Sequence, residues 1–300
     1  MTVLVACVLV GVPFANPLVA SAVDADAAEV APEDQDSGTT SEDEPVATQK
    51  ESVVVEAPMP LIPSSNTIST KLPIDLVWTP FNVGAVSKPL MQEQYSIVLG
   101  DALENISGVN PQTGSGVFDF FVVRGFDSLS SSLILTDGAP EPEVTFYQLY
   151  NAERVEMLKG PGGFLYGPNP LAAAVNIVRK QPALSNFGTF SGSAGSFGTY
   201  EGVLDINRAS EDGEFAFRLN GLYRDTDGYR DNTEGSTGAI NPAFSWRPGP
   251  NTTLNVNYEF VDSDYNPDAG IPITALDRSE VDRETSYASP FDFSKQKIHR

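Results

Sequence analysis

The stretch Asn151–Lys180, NAERVEMLKGPGGFLYGPNPLAAAVNIVRK, decides how the rest of the chain is read. Charged and apolar residues alternate from Glu153 to Lys159, the pattern of a short strand with one apolar side. Gly160, Pro161, Gly162 and Gly163 end it, because proline removes a backbone donor and glycine admits positive φ. Tyr166, Gly167, Pro168, Asn169 and Pro170 form a second group of breakers. An apolar run from Ala174 to Val178 then closes on Arg179 and Lys180. The local reading is strand, glycine loop, strand.

Composition narrows what such a unit can do. Three hundred residues allow one large or two medium domains. Eighteen basic against 40 acidic residues give a net charge of −22, without a basic stripe, which argues against a nucleic-acid partner. The single cysteine is Cys7 and the single histidine is His299. Zinc fingers, histidine metal sites and Cys-His or Ser-His-Asp chemistry are therefore excluded for most of the chain. There is no G-x-S-x-G elbow and no phosphate-cradling glycine loop, and Ser115 and Ser193 lack a histidine to activate them. Neither catalysis nor a cofactor is expected.

Residues 1–22 are uncharged and mostly apolar, and Ala20-Ser21-Ala22 offers a small-residue cleavage site, so a signal peptide is expected. Two alternatives stand beside it: a membrane-spanning helix, poorly served by Pro13, Asn16 and Pro17, and a lipoprotein box at Leu4–Cys7. Residues 23–50 are acidic and rich in Ala, Pro, Ser and Thr, a composition that cannot bury enough apolar surface to fold. Glu51, Ser52, Val53, Val54, Val55, Glu56 and Ala57 follow, and three valines in a row favour extended backbone. By itself this is either a free strand seeking a sheet edge or the first strand of the next domain.

Asn151–Lys180 resembles the plug-domain signature of TonB-dependent outer-membrane receptors of the siderophore class. The matching residues are Glu153–Pro161, Leu165–Gly167, Val175–Val178, Lys180 and Pro182. Ala172, Ala173 and Ala174 stand where the family usually carries Gly-Gly. Val122–Phe126 and Leu133–Gly138 resemble two further plug motifs, an I-R-G-F and an L-x-D-G. The resemblance implies an α+β plug at residues 67–182, and it makes residues 51–57 a TonB box. An energy-transducing protein of the inner membrane would grip that peptide by strand addition. It also implies that the plug fills a barrel of about 22 strands. Residues 23–50 are too short for the folded signalling domain of some relatives.

Within the plug, Phe81–Val86 reads as a strand. Val98, Leu99, Ala102, Leu103 and Ile106 fall at helical spacing, with Gly108 at the C-cap. Arg124, Glu153, Arg154, Glu156 and Lys159 are either solvated strand-face charges or one half of a plug–barrel latch. A plug in a barrel has no free solvent face, and removing one partner of a buried pair costs roughly 3–5 kcal/mol.

From Phe187 the period changes to two. Tyr200, Leu204 and Ile206, then Phe215 to Tyr223, Ile240 to Trp246 and Leu254 to Phe260 alternate with polar residues, in runs suited to tilted bilayer-crossing strands. A soluble β-sandwich gives the same alternation. The connections favour a transmembrane antiparallel β-barrel over residues 187–300: Ser210–Gly213 and Pro248–Asn251 are tight, whereas Asp225–Ser236 and Ser263–Pro290 are long and polar. Asp262–Asp268 alternates carboxylates like a calcium loop, but Pro267 and Ile273 occupy the positions of the turn glycine and bidentate glutamate. A solvated outer loop is expected there.

Five or six strands cannot close a barrel without open edges in lipid, so Arg300 is expected to mark a truncation or a broken reading frame. The functional expectation is TonB-coupled uptake of a scarce ligand, foremost a ferric siderophore, by a receptor embedded in outer-membrane lipid. Cobalamin, heme or a carbohydrate as ligand, and a secreted β-sandwich binding or adhesion protein, are the alternatives.

Overall fold

The computed structural model describes residues 8–9 and 61–299, apart from 115, 142–144, 161, 168–170, 250, 269, 272–280, 283, 288–290 and 292–293. The expected linker and TonB box, and all but two residues of the expected signal peptide, lie outside the described residues. Val8–Leu9 pairs with the strand Phe187–Ala194.

A mixed sheet organises the first half of the fold. Its strands are β1 (Val83–Ser87), β4 (Ser132–Thr136), β5 (Ala152–Lys159) and β6 (Ala173–Arg179), in the order β1-β5-β6-β4, with Ala139–Pro140 on the far edge. β5 runs antiparallel to β1 and β6, while β6 and β4 are parallel. β2 (Val109–Gly114) and β3 (Phe118–Val123) form a separate hairpin sheet with Phe126–Asp127. The helix α1 (Lys88–Glu93) begins directly after β1, with proline in its first turn, where a missing N–H costs nothing. The helix α2 (Leu99–Leu103) is started by Asp101, whose carboxylate accepts the amides of Ile97 at 2.7 Å and Val98 at 3.0 Å.

The two family-like motifs turn out to be turns. Arg124-Gly125 has φ of +50° and +87°, and Asp137-Gly138 has +49° and +82°. Consecutive left-handed residues match the twist of the strands they join, which is why glycine occupies the second position in each. The three alanines need no such freedom. None of Ala172–Ala174 has positive φ, and all three are buried at the start of β6.

Leu99, Leu103, Phe121, Val123, Val155, Met157 and Val175 are fully buried together in the main core. Each contributes about 1.5–3 kcal/mol by leaving water. A smaller cluster of Ile68, Leu135, Leu158 and Ala174 lies apart from it. β5 therefore departs from the expectation of one apolar side. It is a central strand, and Glu156 and Leu158 are covered as fully as Val155 and Met157.

The second half is a run of antiparallel hairpins: β7 (Phe187–Ala194), β8 (Tyr200–Ala209), β9 (Phe215–Thr226) and β10 (Gly235–Gly249). β10 then pairs with β11 (Thr252–Asn257) and β12 (Phe260–Tyr265), and β12 pairs with β13 (Ser294–His299). The buried side carries Asp205, Asn207, Arg218, Asn220, Asn241 and Ser245, all 0–7% exposed, beside a small apolar cluster of Leu222, Ala239, Val261 and Ile298. The apolar side faces out, with Phe190, Phe217, Tyr223, Ile240 and Trp246 between 39% and 62% exposed. A sandwich buries its apolar side; a lipid-embedded wall shows it.

Several boundaries differ from expectation: the strand expected at Phe81–Val86 is Val83–Ser87, and Asp225 pairs with Ser236 at the ends of the expected connection. The run Leu254–Phe260 is not one strand, because it breaks at Tyr258–Glu259, where Glu259 is 3% exposed. The long connection begins after Tyr265 rather than at Ser263, because β12 continues its pairing with β10 to Gly235–Tyr265.

Candidate functional site

The strap Asn66–Lys71 is held at Thr67 and Ile68 by one carboxylate. Glu156, at the middle of β5 and fully buried, accepts four donors. These are the amide of Thr67 at 3.0 Å, its hydroxyl at 2.9 Å, the amide of Ile68 at 2.9 Å and the Arg154 guanidinium at 2.6 Å. A buried carboxylate is tolerable only when its lone pairs are filled in this way. Asn66 shapes the strap itself: its side-chain oxygen accepts the Ser69 amide and hydroxyl, and its amide group donates to Thr79. Tyr166 donates to the Ile68 carbonyl at 2.8 Å, and the Lys71 ammonium sits 5.2 Å over the Tyr166 ring. Burial, reinforced by the Glu156 charge, pushes the Tyr166 phenol up to about 12.

Of the five charges expected to form a latch, Arg154 and Glu156 are brought together as an ion pair. Lys159 donates to the backbone and hydroxyl oxygens of Ser107. Burial, and then the nearby Arg124 charge, lower its pKa. Arg124 is exposed in its turn, and Glu153 is half-buried on β5. The described partners of Arg154, Glu156 and Lys159 are all plug residues.

The plug meets the strand wall elsewhere, at residues the sequence reading did not single out. Asp205 on β8 receives the Arg218 guanidinium through two bonds of 2.8 Å, with the Lys180 ammonium at 3.3 Å and that of Lys88 at 3.9 Å. Lys180 also donates to the Tyr150 carbonyl at 2.7 Å. Burial drives its pKa down to about 8, against the opposing pull of Asp205. Glu259 is the second hub: it accepts from Asn151 at 2.9 Å and Tyr150 at 3.2 Å, and the Arg179 guanidinium stands 3.9 Å away. Asn207 clamps the joining segment through the Ala183 amide and the Ala183 and Ser185 carbonyls. Higher up, Tyr95 bonds Ser193 and Tyr265 bonds the Val117 carbonyl. The signal was present in the alternation, since polar residues on the hidden side of a dyad strand must meet something polar.

Inside the plug, Asp119 accepts the amides of Tyr147 at 2.8 Å and Gly100 at 3.1 Å, tying α2 to the Thr145–Leu149 segment. Burial outweighs those bonds and raises its pKa to about 7. The carboxylates of the calcium-like stretch have cationic neighbours: Asp262 meets Lys297, Asp264 meets Lys295, and Asp268 meets Arg230. No group of metal-ligating side chains occurs among the described residues. This arrangement can hold and release segments, and nothing in it activates a nucleophile.

The family profile of the TonB-dependent receptor plug domain matches residues 75–174. The chain is 40% identical over 110 residues to the metal-pseudopaline receptor CntO of Pseudomonas aeruginosa, which covers 36% of this chain and 16% of that protein. It is 30% identical over 237 residues to the catecholate siderophore receptor Fiu of Escherichia coli K12, covering 75% of this chain and 30% of Fiu. The crystal structure of the siderophore receptor PiuA from Acinetobacter baumannii superposes with a TM-score of 0.70 at 26% identity, over 80% of this chain and 35% of PiuA. The chain thus spans 16–35% of the length of these relatives.

Proposed function

Because the chain belongs to the TonB-dependent receptor family, with that family's plug at residues 75–174, we propose that it is the plug and first wall strands of an outer-membrane receptor for energy-coupled uptake of a ferric siderophore. The observation that carries this reading is the reversed burial of β7–β10. Their polar faces, led by Asp205 and Asn207, close on the plug, while Phe190, Tyr223 and Trp246 are turned outward as lipid would require. Relatives named for catecholate and metal-pseudopaline ligands support a cargo among iron or metal chelates.

Residues Glu51–Ala57 serve as the TonB box, gripped as an added strand by a TonB-type protein of the inner membrane. The grip needs little side-chain specificity, because main-chain bonds supply the affinity. Arg124, Glu153, Arg154, Glu156 and Lys159 provide the plug's half of the latch, with charges of further wall strands as counterparts. A pull from the box would load the Leu61 and Ser64 carbonyl contacts first, to Ser87 and Leu76, and then the Glu156 contacts of the strap at Asn66–Lys71. The experiment is growth of a deletion strain on defined iron sources, complemented by the full-length gene. Restored growth on at least one ferric siderophore supports the reading. Growth restored only by heme, cobalamin or a carbohydrate would replace the cargo while keeping the architecture.

A further inference from the structure

Between the strap and β11 lies a cavity of about 540 Å³. That is the size range of small-molecule sites, about 300–1,000 Å³. Its ionic lining is Lys71, Arg154 and Arg179 against Asp137, in a chain whose net charge is −22. Asp137 is engaged by Arg179 at 2.8 Å, and Arg154 by Glu156 at 2.6 Å. Lys71 has only the face of the Tyr166 ring among the described residues. The wall contributes the amides of Asn255 and Asn257. A cationic pocket with amide donors selects anionic oxygen ligands.

We propose that this cavity is a transit site for an anionic iron chelate on the inner side of the plug, with the Asn66–Lys71 strap as its cover and Glu156 as the catch. This rests on the uptake reading above. The geometry links catch and cavity directly: Thr67 and Arg154 line the space, and both are bonded to Glu156. Drawing the strap off Glu156 therefore opens the cavity and uncovers the Glu156 carboxylate, which keeps Arg154 as its partner. Lys71 rides on the strap, so the same movement removes one cation from the lining. The site would lose affinity for its anion as it opens, which favours release over return.

The test uses the full-length receptor in cells, with Cys7→Ser and Asn255→Cys, and two small thiol reagents of opposite charge reaching it from the periplasm. The sulfonate reagent should label Cys at position 255 roughly fivefold faster than the trimethylammonium reagent. Lys71→Glu should reverse that preference and Lys71→Arg should keep it. Equal labelling by both reagents in the Lys71-containing protein overturns the site. In parallel, Lys71→Glu should slow uptake of a ferric tris-catecholate about tenfold with surface binding unchanged. An unchanged uptake rate overturns the transit role. A receptor that takes up no iron chelate at all would instead refute the proposed function, and the labelling result stands independently of it.

Discussion

Glu156 accepts the Thr67 amide at 3.0 Å, joining the central strand of the plug to a residue 89 positions earlier in the chain. No other described carboxylate holds two consecutive backbone amides of the strap, and no solvent reaches it. The contact anchors the leading segment to the centre of the plug sheet.

Replacing Glu156 by alanine leaves the Thr67 and Ile68 amides and Arg154 without their buried acceptor. The expected cost is about 3–5 kcal/mol, felt locally at the strap. Trypsin should then cut at Lys71 at least tenfold faster in the folded receptor, while cleavage at wall residues stays unchanged. Equal cutting at Lys71 in both proteins would show that the strap is held by something else.

Asp205 should behave as the fixed joint between plug and wall. Asp205→Asn strands the Arg218 guanidinium and removes the carboxylate that holds up the Lys180 pKa, so Lys180 should lose its proton well below its present value of about 8. A double-mutant cycle of Asp205→Asn with Arg218→Gln should give a coupling of about 2–5 kcal/mol in thermal unfolding. Additivity of the two substitutions would contradict the joint.

Asp119 makes the plug sensitive to pH with a definite sign. Its folded value of about 7 lies above the ordinary 3.8, so the folded protein keeps a proton that the unfolded chain has released. Stability from this group is full below about pH 4 and is lost as pH rises through 7, by roughly 2–4 kcal/mol. Thermal unfolding measured from pH 4 to 8 should show the fall, and Asp119→Asn should flatten it. A fall of the same size in the variant would assign the effect to another group.

Much of the fold was readable before any coordinates. The breaker Gly160 and the dipeptide Asp137-Gly138 mark turns because positive φ leaves few residue choices, whereas Val122–Phe126 reads as a strand and is interrupted by the turn at Arg124-Gly125. The dyad strands were visible because lipid and lumen impose opposite chemistry on successive residues. What stayed hidden depended on pairing at long range. Nothing in the sequence ties Glu156 to Thr67, or Lys88 and Lys180 to Asp205, because those partners meet only after the sheets form. The break at Tyr258–Glu259 was missed because the apolar period runs straight through it, and Glu259 is turned inward by Asn151 and Tyr150 of the plug.

The most direct test of the account is uptake of a radiolabelled ferric catecholate by cells carrying the full-length receptor, measured alongside surface binding with and without Val54→Pro. The account predicts saturable uptake that stops when the proton-motive force is collapsed, and that Val54→Pro abolishes while surface binding persists, since proline cannot donate to an added strand. Uptake that continues at the same rate in the Val54→Pro variant, or after the force is collapsed, would contradict it.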